Sequence, residues 1–471
     1  MKKSLLMLPA LLLLSGCLVP NKQYRKTPAS IVPIKVLVSD LPKQKGCEDG
    51  PRYAPQMAFL EFDEFGEMWE PAQLKAATDL IEAAAPPPLV VTFFHGWKNN
   101  ADPKRDQRRD GNAFGFSRAL NDLACHYKNT PVIGVYVSWR GELVSKYWPL
   151  RRQFSYFNRE EAAIRIPGAR MTNALASIVK AAHEANGYAV LVGHSFGGLV
   201  MERALTQATI SLLQEIPSGD CPEEKPSEKN DSPAKRRLIV PDLAVFVNSA
   251  AAATEAKQLL DVLKDYKSCN SRGIEPRPPD TALFISIASV SDSAVKLALP
   301  IGHFIPSMRY KSKGSFRSED PLAHCSPPSP DPNCPKTPSQ SSFYSSSAAH
   351  MSILQSHEVV SADSKLCKEA EEEHTEAAHG DRNESPGTWR YFSLPDTTEC
   401  FEIKEKKEEK EKKGVWNDTP YWIMEVPSEI IPDHSTIFTE RFIAMLKRLV
   451  PTQKTMNDGP PKKILSHPVP K

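Results

Sequence analysis

The feature that most constrains the fold is a series of short apolar runs, each ending in a tight polar or glycine turn. Leu89 to Phe94 ends at His95-Gly96, and Pro131 to Ser138 ends at Trp139-Arg140-Gly141. Ala189-Val190-Leu191-Val192 runs straight into Gly193-His194-Ser195-Phe196-Gly197, and Leu243 to Val247 and Ala282 to Ala288 follow. Runs this short, separated by helix-like stretches, specify strands buried on both faces of a parallel sheet. Ile31 to Val38 and Ala58 to Phe62 read as earlier strands, the second closed by a turn at Gly66, and Tyr421 to Val426 reads as the last. Ala72 to Ala84 reads as a helix with Leu74, Ala77, Leu80 and Ile81 on one face, stopped by Pro86-Pro87-Pro88. Ile437 to Leu449 reads as an amphipathic helix with Phe438, Phe442, Met445 and Leu449 in phase. The expected class is α/β, with a mostly parallel central sheet, flanking helices and a long irregular insertion before the last strand.

Three stretches break that rhythm. Pro217 to Lys235 is polar and charged, Pro306 to about Gly387 is rich in Ser, Pro and His, and Lys404 to Lys413 is almost pure Glu and Lys. Such compositions bury too little apolar area to offset chain entropy, so they read as surface insertions. The expected organisation is a leader at 1–16, an anchor-proximal linker and first strand at 17–54, and a core at 55–300 carrying the polar insertion 217–235. An insertion at 301–414, a candidate lid, precedes the last strand, a histidine loop and the final helix at 415–450, and 451–471 reads as a tail. Lys and Arg number 59 against 57 Asp and Glu, a formal charge of +2 that Lys2 and Lys3 alone account for. With no basic field over the rest of the chain, nucleic acid is excluded as an expected partner.

Met1-Lys2-Lys3 is a positive n-region, and Leu5 to Leu14 is an apolar h-region too short to cross about 30 Å of hydrocarbon as a permanent helix. It ends in Leu14-Ser15-Gly16-Cys17, which resembles the lipobox of bacterial lipoproteins. The resemblance implies lipidation of Cys17, cleavage before it, and anchoring in the cell envelope of a Gram-negative bacterium. With Leu18 rather than Asp after the cysteine, it points to the outer membrane, facing the periplasm or the surface. Eight cysteines remain, an even number that suits an oxidising compartment, and Cys325–Cys334 is the first expected disulfide. No cysteine or histidine cluster has zinc-ligand spacing, so neither metal nor cofactor is expected.

Gly193-His194-Ser195-Phe196-Gly197 matches G-x-S-x-G, with a buried strand before it and a helix after it. A serine on such a turn projects its hydroxyl above the sheet at a helix N-terminus. Acyl transfer through a tetrahedral oxyanion needs two fixed N–H donors. Phe196, after the nucleophile, supplies one candidate amide, and Trp97, in Phe93-Phe94-His95-Gly96-Trp97, the other. His95 precedes the nucleophile and is expected to shape that loop. The base is sought later in the chain at a strand end. His324, His350, His357, His374 and His379 sit in the irregular insertion and His467 in the tail. His303 remains open but follows the strand that should supply the acid, and His434, after the last strand, is the expected base. Asp292, just past the strand at 282–288, is the expected acid. Trp97, Trp139, Tyr147 and Trp148 fit either an apolar acyl pocket or ordinary packing.

On these residues the chain resembles the α/β-hydrolase superfamily of esterases and lipases. More narrowly, it resembles largely uncharacterised bacterial hydrolases that carry the segments found here at Val91 to Ala101, Gly134 to Gly141, Gly193 to Gly198, Trp416 to Trp422 and Asp433 to Phe438. The resemblance covers roughly 55–300 and 415–450. It implies an α/β-hydrolase fold with Ser195 as nucleophile, His434 as base, the Trp97 loop as oxyanion hole and, less tightly, Asp292 as acid. The implied activity is hydrolysis of a small-molecule or lipid carboxylic ester. A phospholipase or lipase acting on the anchoring membrane, and a catalytically silent binding lipoprotein, are the alternatives.

Overall fold

A computed structural model describes residues 19–27, 30–34, 47, 50–105, 108, 111–143, 149–214, 240–268, 282–297, 299, 343, 345–379, 390–395, 397–406 and 419–450. Cys17, the polar insertion 217–235, Cys325 and Cys334, Tyr147 and Trp148, and most of the Glu/Lys run lie outside the described residues, as do His303 and the tail.

The apolar runs form one sheet. Its strands are β1 (Ile31–Pro33), β2 (Gln56–Glu61), β3 (Leu89–Phe94), β4 (Val132–Ser138), β5 (Tyr188–His194), β6 (Leu243–Val247), β7 (Phe284–Ser289) and β11 (Tyr421–Val426). Their order is β1-β2-β4-β3-β5-β6-β7-β11. Only β1 pairs antiparallel, at the edge beside β2; every other pair is parallel. Alternate residues of each run enter opposite cores. Val90 and Phe94, Ala189 and Leu191, and Ala244 and Phe246 pack on one side with helices α1 (Pro71–Glu82), α3 (Pro149–Arg165), α4 (Ala169–Glu184), α5 (Phe196–Gln214) and α6 (Ala253–Ser268). Val91 and Phe93, Val190 and Val192, and Val245 and Val247 pack on the other with α2 (Asn112–His126) and α8 (Glu440–Leu449). Two apolar faces per strand are what a sheet covered on both sides requires.

The insertion departs from its sequence reading. Within 345–406 the chain forms a 3-10 turn (Ala348–His350), then β8 (His357–Ala362), α7 (Ser364–His379), β9 (Tyr391–Ser393) and β10 (Cys400–Glu405). The three strands make an antiparallel sheet in the order β8-β10-β9, and a Cys367–Cys400 disulfide joins α7 to β10. Its strands are half-polar and its helix is charged, so they lack the continuous apolar signal of the central strands. Ser356 covers the outer edge of β11: its amide donates to the Ile423 carbonyl at 3.0 Å, and its hydroxyl accepts the Ile423 amide at 3.1 Å. The ring of His357 stacks on Trp422 at 4.3 Å. An exposed strand edge is thereby closed against pairing with other chains.

The stretch expected to be a linker is also packed in part. The amides of Tyr24 and Arg25 donate to the two carboxylate oxygens of Glu61, and the buried Arg25 guanidinium lies 3.7 Å above the Phe59 ring. Val19 donates its amide to the Leu143 carbonyl, and Arg140 donates to the Val19 carbonyl. A second disulfide, Cys47–Cys125, ties the segment before β2 to α2. Among the described residues no helix is long and apolar enough to cross a membrane.

Candidate active site

The chain leaves β3 to form β4 on one side, then returns to lay β5 on the other, so the carboxyl ends of β3 and β5 diverge at a switch point. Ligands of open parallel sheets bind in such crevices. His95-Gly96-Trp97 leaves β3 there, and Ser195 leaves β5.

Ser195 occupies the single residue between β5 and α5, with φ +56°. A serine in the left-handed region is strained by about 1–3 kcal/mol and persists only where its surroundings fix it. Here its amide donates to the Val247 carbonyl, and its carbonyl accepts from Leu199 and Ala250. A Cβ on Gly197 would fall 2.2 Å from the Phe94 carbonyl oxygen, so α5 starts against β3 only because that position is glycine. Gly96 does the same for the facing loop: a Cβ there would lie 2.8 Å from the Ser195 Cβ.

His434 sits in the loop between β11 and α8. Its Nε2 lies 2.8 Å from Ser195 Oγ, and its Nδ1 lies 3.0 Å from each carboxylate oxygen of Asp292. With Nδ1–H shared between the carboxylate oxygens, Nε2 presents its lone pair and the serine hydroxyl donates to it. Asp292 follows β7 and is fully buried. Burial works to raise its pKa, but the imidazoles of His350 and His434, with the Val295 amide, outweigh burial and hold the carboxyl well below its usual range. Three side chains separated by up to 239 positions thus meet at one sheet edge.

The histidine loop is tied from below. Its His434 carbonyl accepts from His194 Nε2 at 2.7 Å and from Asn248 Nδ2 at 3.1 Å, and Ser289 Oγ donates to the Ile431 carbonyl at 2.6 Å. Burial, then the nearby His434, pushes the His194 pKa down to about 3, so His194 is neutral and its Nε2–H is the donor. Asp433, beside His434, turns away and accepts from the amides of Ser435 and Thr436. Thr439 caps α8 through the Phe442 amide and donates to the Ile430 carbonyl.

His95 is wholly buried and faces away from the serine. Its Nδ1 donates to the Gly96 carbonyl, while Nε2 accepts the Trp139 amide, and Trp139 stacks on its ring at 5.7 Å. Trp139 is therefore core packing. Trp97 donates its indole N–H to Ser155 of α3 and meets Tyr156 edge-on. Among the described residues, neither the Trp97 amide nor the Phe196 amide donates a hydrogen bond within the chain.

No family model matches this chain, and no curated protein or solved structure does either. The site stands on its geometry.

Three residues at this site carry no sequence signal of their role. His194 is the variable position of G-x-S-x-G, and Asn248 is one polar residue after a buried strand. His350, set aside with the insertion, lies with its Nε2 3.9 Å from Asp292 Oδ2. Among the described residues no group of three or more His, Cys, Asp or Glu side chains is arranged to hold a metal ion.

Proposed function

We propose that the chain is a serine hydrolase on an α/β-hydrolase fold, cleaving carboxylic esters through a covalent acyl-enzyme. The observation that carries this reading is the unbroken hydrogen-bonded line from Ser195 Oγ through His434 to Asp292. As the serine oxygen attacks an ester carbonyl, His434 Nε2 takes its proton. Asp292, buried and ionised, keeps Nδ1–H in place and stabilises the imidazolium that forms. The negative charge on the carbonyl oxygen is met by the amides of Phe196, at the start of α5, and Trp97, in the loop that Gly96 lets approach. His434 then protonates the departing alcohol, and water, activated by the same imidazole, releases the acid. The strand order and the Ser, Asp, His order along the chain both suit this fold.

In this proposal Cys17 carries the lipid. Val19, two residues on, is already hydrogen bonded to the body, so the anchor holds the domain close to the bilayer. A fluorophosphonate probe tests the reading: wild type is labelled, and Ser195→Ala and His434→Gln are not. An unlabelled wild type, folded by circular dichroism, overturns it. A chain-length series of p-nitrophenyl esters, with and without vesicles, then separates soluble from membrane-borne substrates.

A further inference from the structure

The histidine that reaches the site from the insertion has two acidic neighbours. His350 Nδ1 lies 2.9 Å from Glu425 Oε1 on β11, and its Nε2 lies 3.9 Å from Asp292 Oδ2, with the side chain only 5% exposed. That Nε2 is buried and has no hydrogen-bond partner among the described residues. Lys296, on the short helical segment after Asp292, places its Nζ 3.2 Å from Glu425 Oε1, and His434 faces Asp292 from the loop after β11. Among the described residues these are the charged and titratable groups around the ring. A neutral ring donating from Nδ1 to Glu425 turns a lone pair toward the Asp292 carboxylate, which is repulsive. A protonated ring turns an N–H there instead.

We propose that His350 is a positioning residue of the site, its imidazolium partly compensating the charge of Asp292 and so setting how firmly that carboxylate holds a proton on His434. This rests on the serine-hydrolase reading above and goes beyond it. Burial lowers the proton affinity of the ring, but the contacts with Asp292 and then Glu425 outweigh burial, so His350 keeps its proton to higher pH than an ordinary histidine. Glu425 responds in the opposite sense: the hydrogen bond from His350 first, and Lys296 after it, bring its pKa down to about 2 against the opposing effect of burial. Without a second cation beside it, Asp292 would bear its full charge on the His434 imidazolium and hold that proton more firmly. His350 thereby acts on the base through Asp292. It reaches Asp292 because the 3-10 turn at Ala348–His350 is held between α6, through Ala253 N–H to the Ser346 carbonyl, and β11.

The test is the rate of fluorophosphonate labelling of Ser195 against pH, on the full chain in detergent micelles, for wild type and His350→Gln. The pH of half-maximal labelling is expected to move upward by about one pH unit in the variant, a tenfold change in proton affinity. Well below the midpoint the rate then falls by up to about tenfold, while the alkaline plateau stays within about twofold of wild type. A fall of equal size at every pH, with the midpoint unmoved, overturns the proposal, because a packing role lowers the plateau and leaves the titration in place. An unchanged profile overturns it as well. Failure of the wild type to label at any pH is the failure of the hydrolase reading itself, and this proposal falls with it. Where His350→Gln does not fold by circular dichroism, ring nitrogen NMR of the Ser195→Ala chain decides. A doubly protonated His350 ring at about pH 7 supports the proposal, and a neutral ring there refutes it.

Discussion

At the scale of single residues, Gly96 is where one methyl group separates geometry from stability. The Cβ of an alanine there would stand 2.8 Å from the Ser195 Cβ and 3.0 Å from the His194 carbonyl oxygen. Neither neighbour can yield, since Ser195 is fixed in the left-handed region by its own backbone hydrogen bonds and His194 is the last residue of a buried strand. The 95–97 loop must therefore retreat, taking the Trp97 amide with it. Gly96→Ala is expected to slow labelling of Ser195 by about 10²-fold, the cost of one oxyanion donor. The chain should still melt cooperatively. Rates within about threefold of wild type would refute the assignment of that loop to the oxyanion.

At the scale of elements, the loop that presents His434 owes its shape to the elements at its two ends. Thr439 serves both: its hydroxyl accepts the Phe442 amide, capping α8, and donates to the Ile430 carbonyl at 2.8 Å. Thr439→Val keeps the shape and removes both bonds. It is expected to lower unfolding free energy by about 1–2 kcal/mol, as for other N-cap losses. Labelling is expected to slow as well, because His434 sits only five residues upstream on the freed segment. Urea titration and labelling at one pH check the two effects, and a stability loss with no change in rate would separate the cap from the loop.

The same scale explains what the sequence revealed and what it concealed. β3, β6 and β11 run over the residues expected, and β4, β5 and β7 begin and end within two of them, because strands buried on both faces write themselves as continuous apolar runs. Ser195, His434 and Asp292 were legible because each follows such a run. β8 and β10 were not: His357–Ala362 and Cys400–Glu405 mix short apolar pieces with polar and charged residues inside a stretch whose Ser, Pro and Glu content reads as loop. His350 was illegible for a different reason. Its place beside Asp292 comes from the convergence of α6, β7 and β11, and nothing adjacent to it in the chain records that. The final helix begins at Glu440 rather than Ile437 because the Thr439 side chain caps it there.

At the scale of the molecule, among the described residues the chain leaves the central sheet after β7 and rejoins it at Tyr421, so the fold depends on a late strand finding an early helix. Tyr421 opens β11, and its fully buried hydroxyl donates to Glu202 Oε1 of α5 at 2.9 Å, across 219 positions. Glu202 is itself buried on α5, the helix that starts beside Ser195. Burial first, and the nearby Glu255 charge after it, raise its pKa from 4.5 to about 8 against the hydrogen bonds from Tyr421 and Ser249. The folded chain thus holds a proton on Glu202 that the unfolded chain releases above pH 4.5. Between that pH and about 8 the unfolded state binds fewer protons, so this group makes stability fall as pH rises, by at most about 1.4 kcal/mol per pH unit, and the loss levels off above about 8. Glu202→Gln keeps an acceptor for Tyr421 and removes the titration. Its unfolding free energy relative to wild type is expected to rise steadily from pH 4.5 to about 8 and then hold constant, read from urea unfolding at a series of pH values. Wild-type and variant curves that run parallel across that window would mean that Glu202 is ionised in the fold, and that the contact joining the last strand to α5 is a charged one.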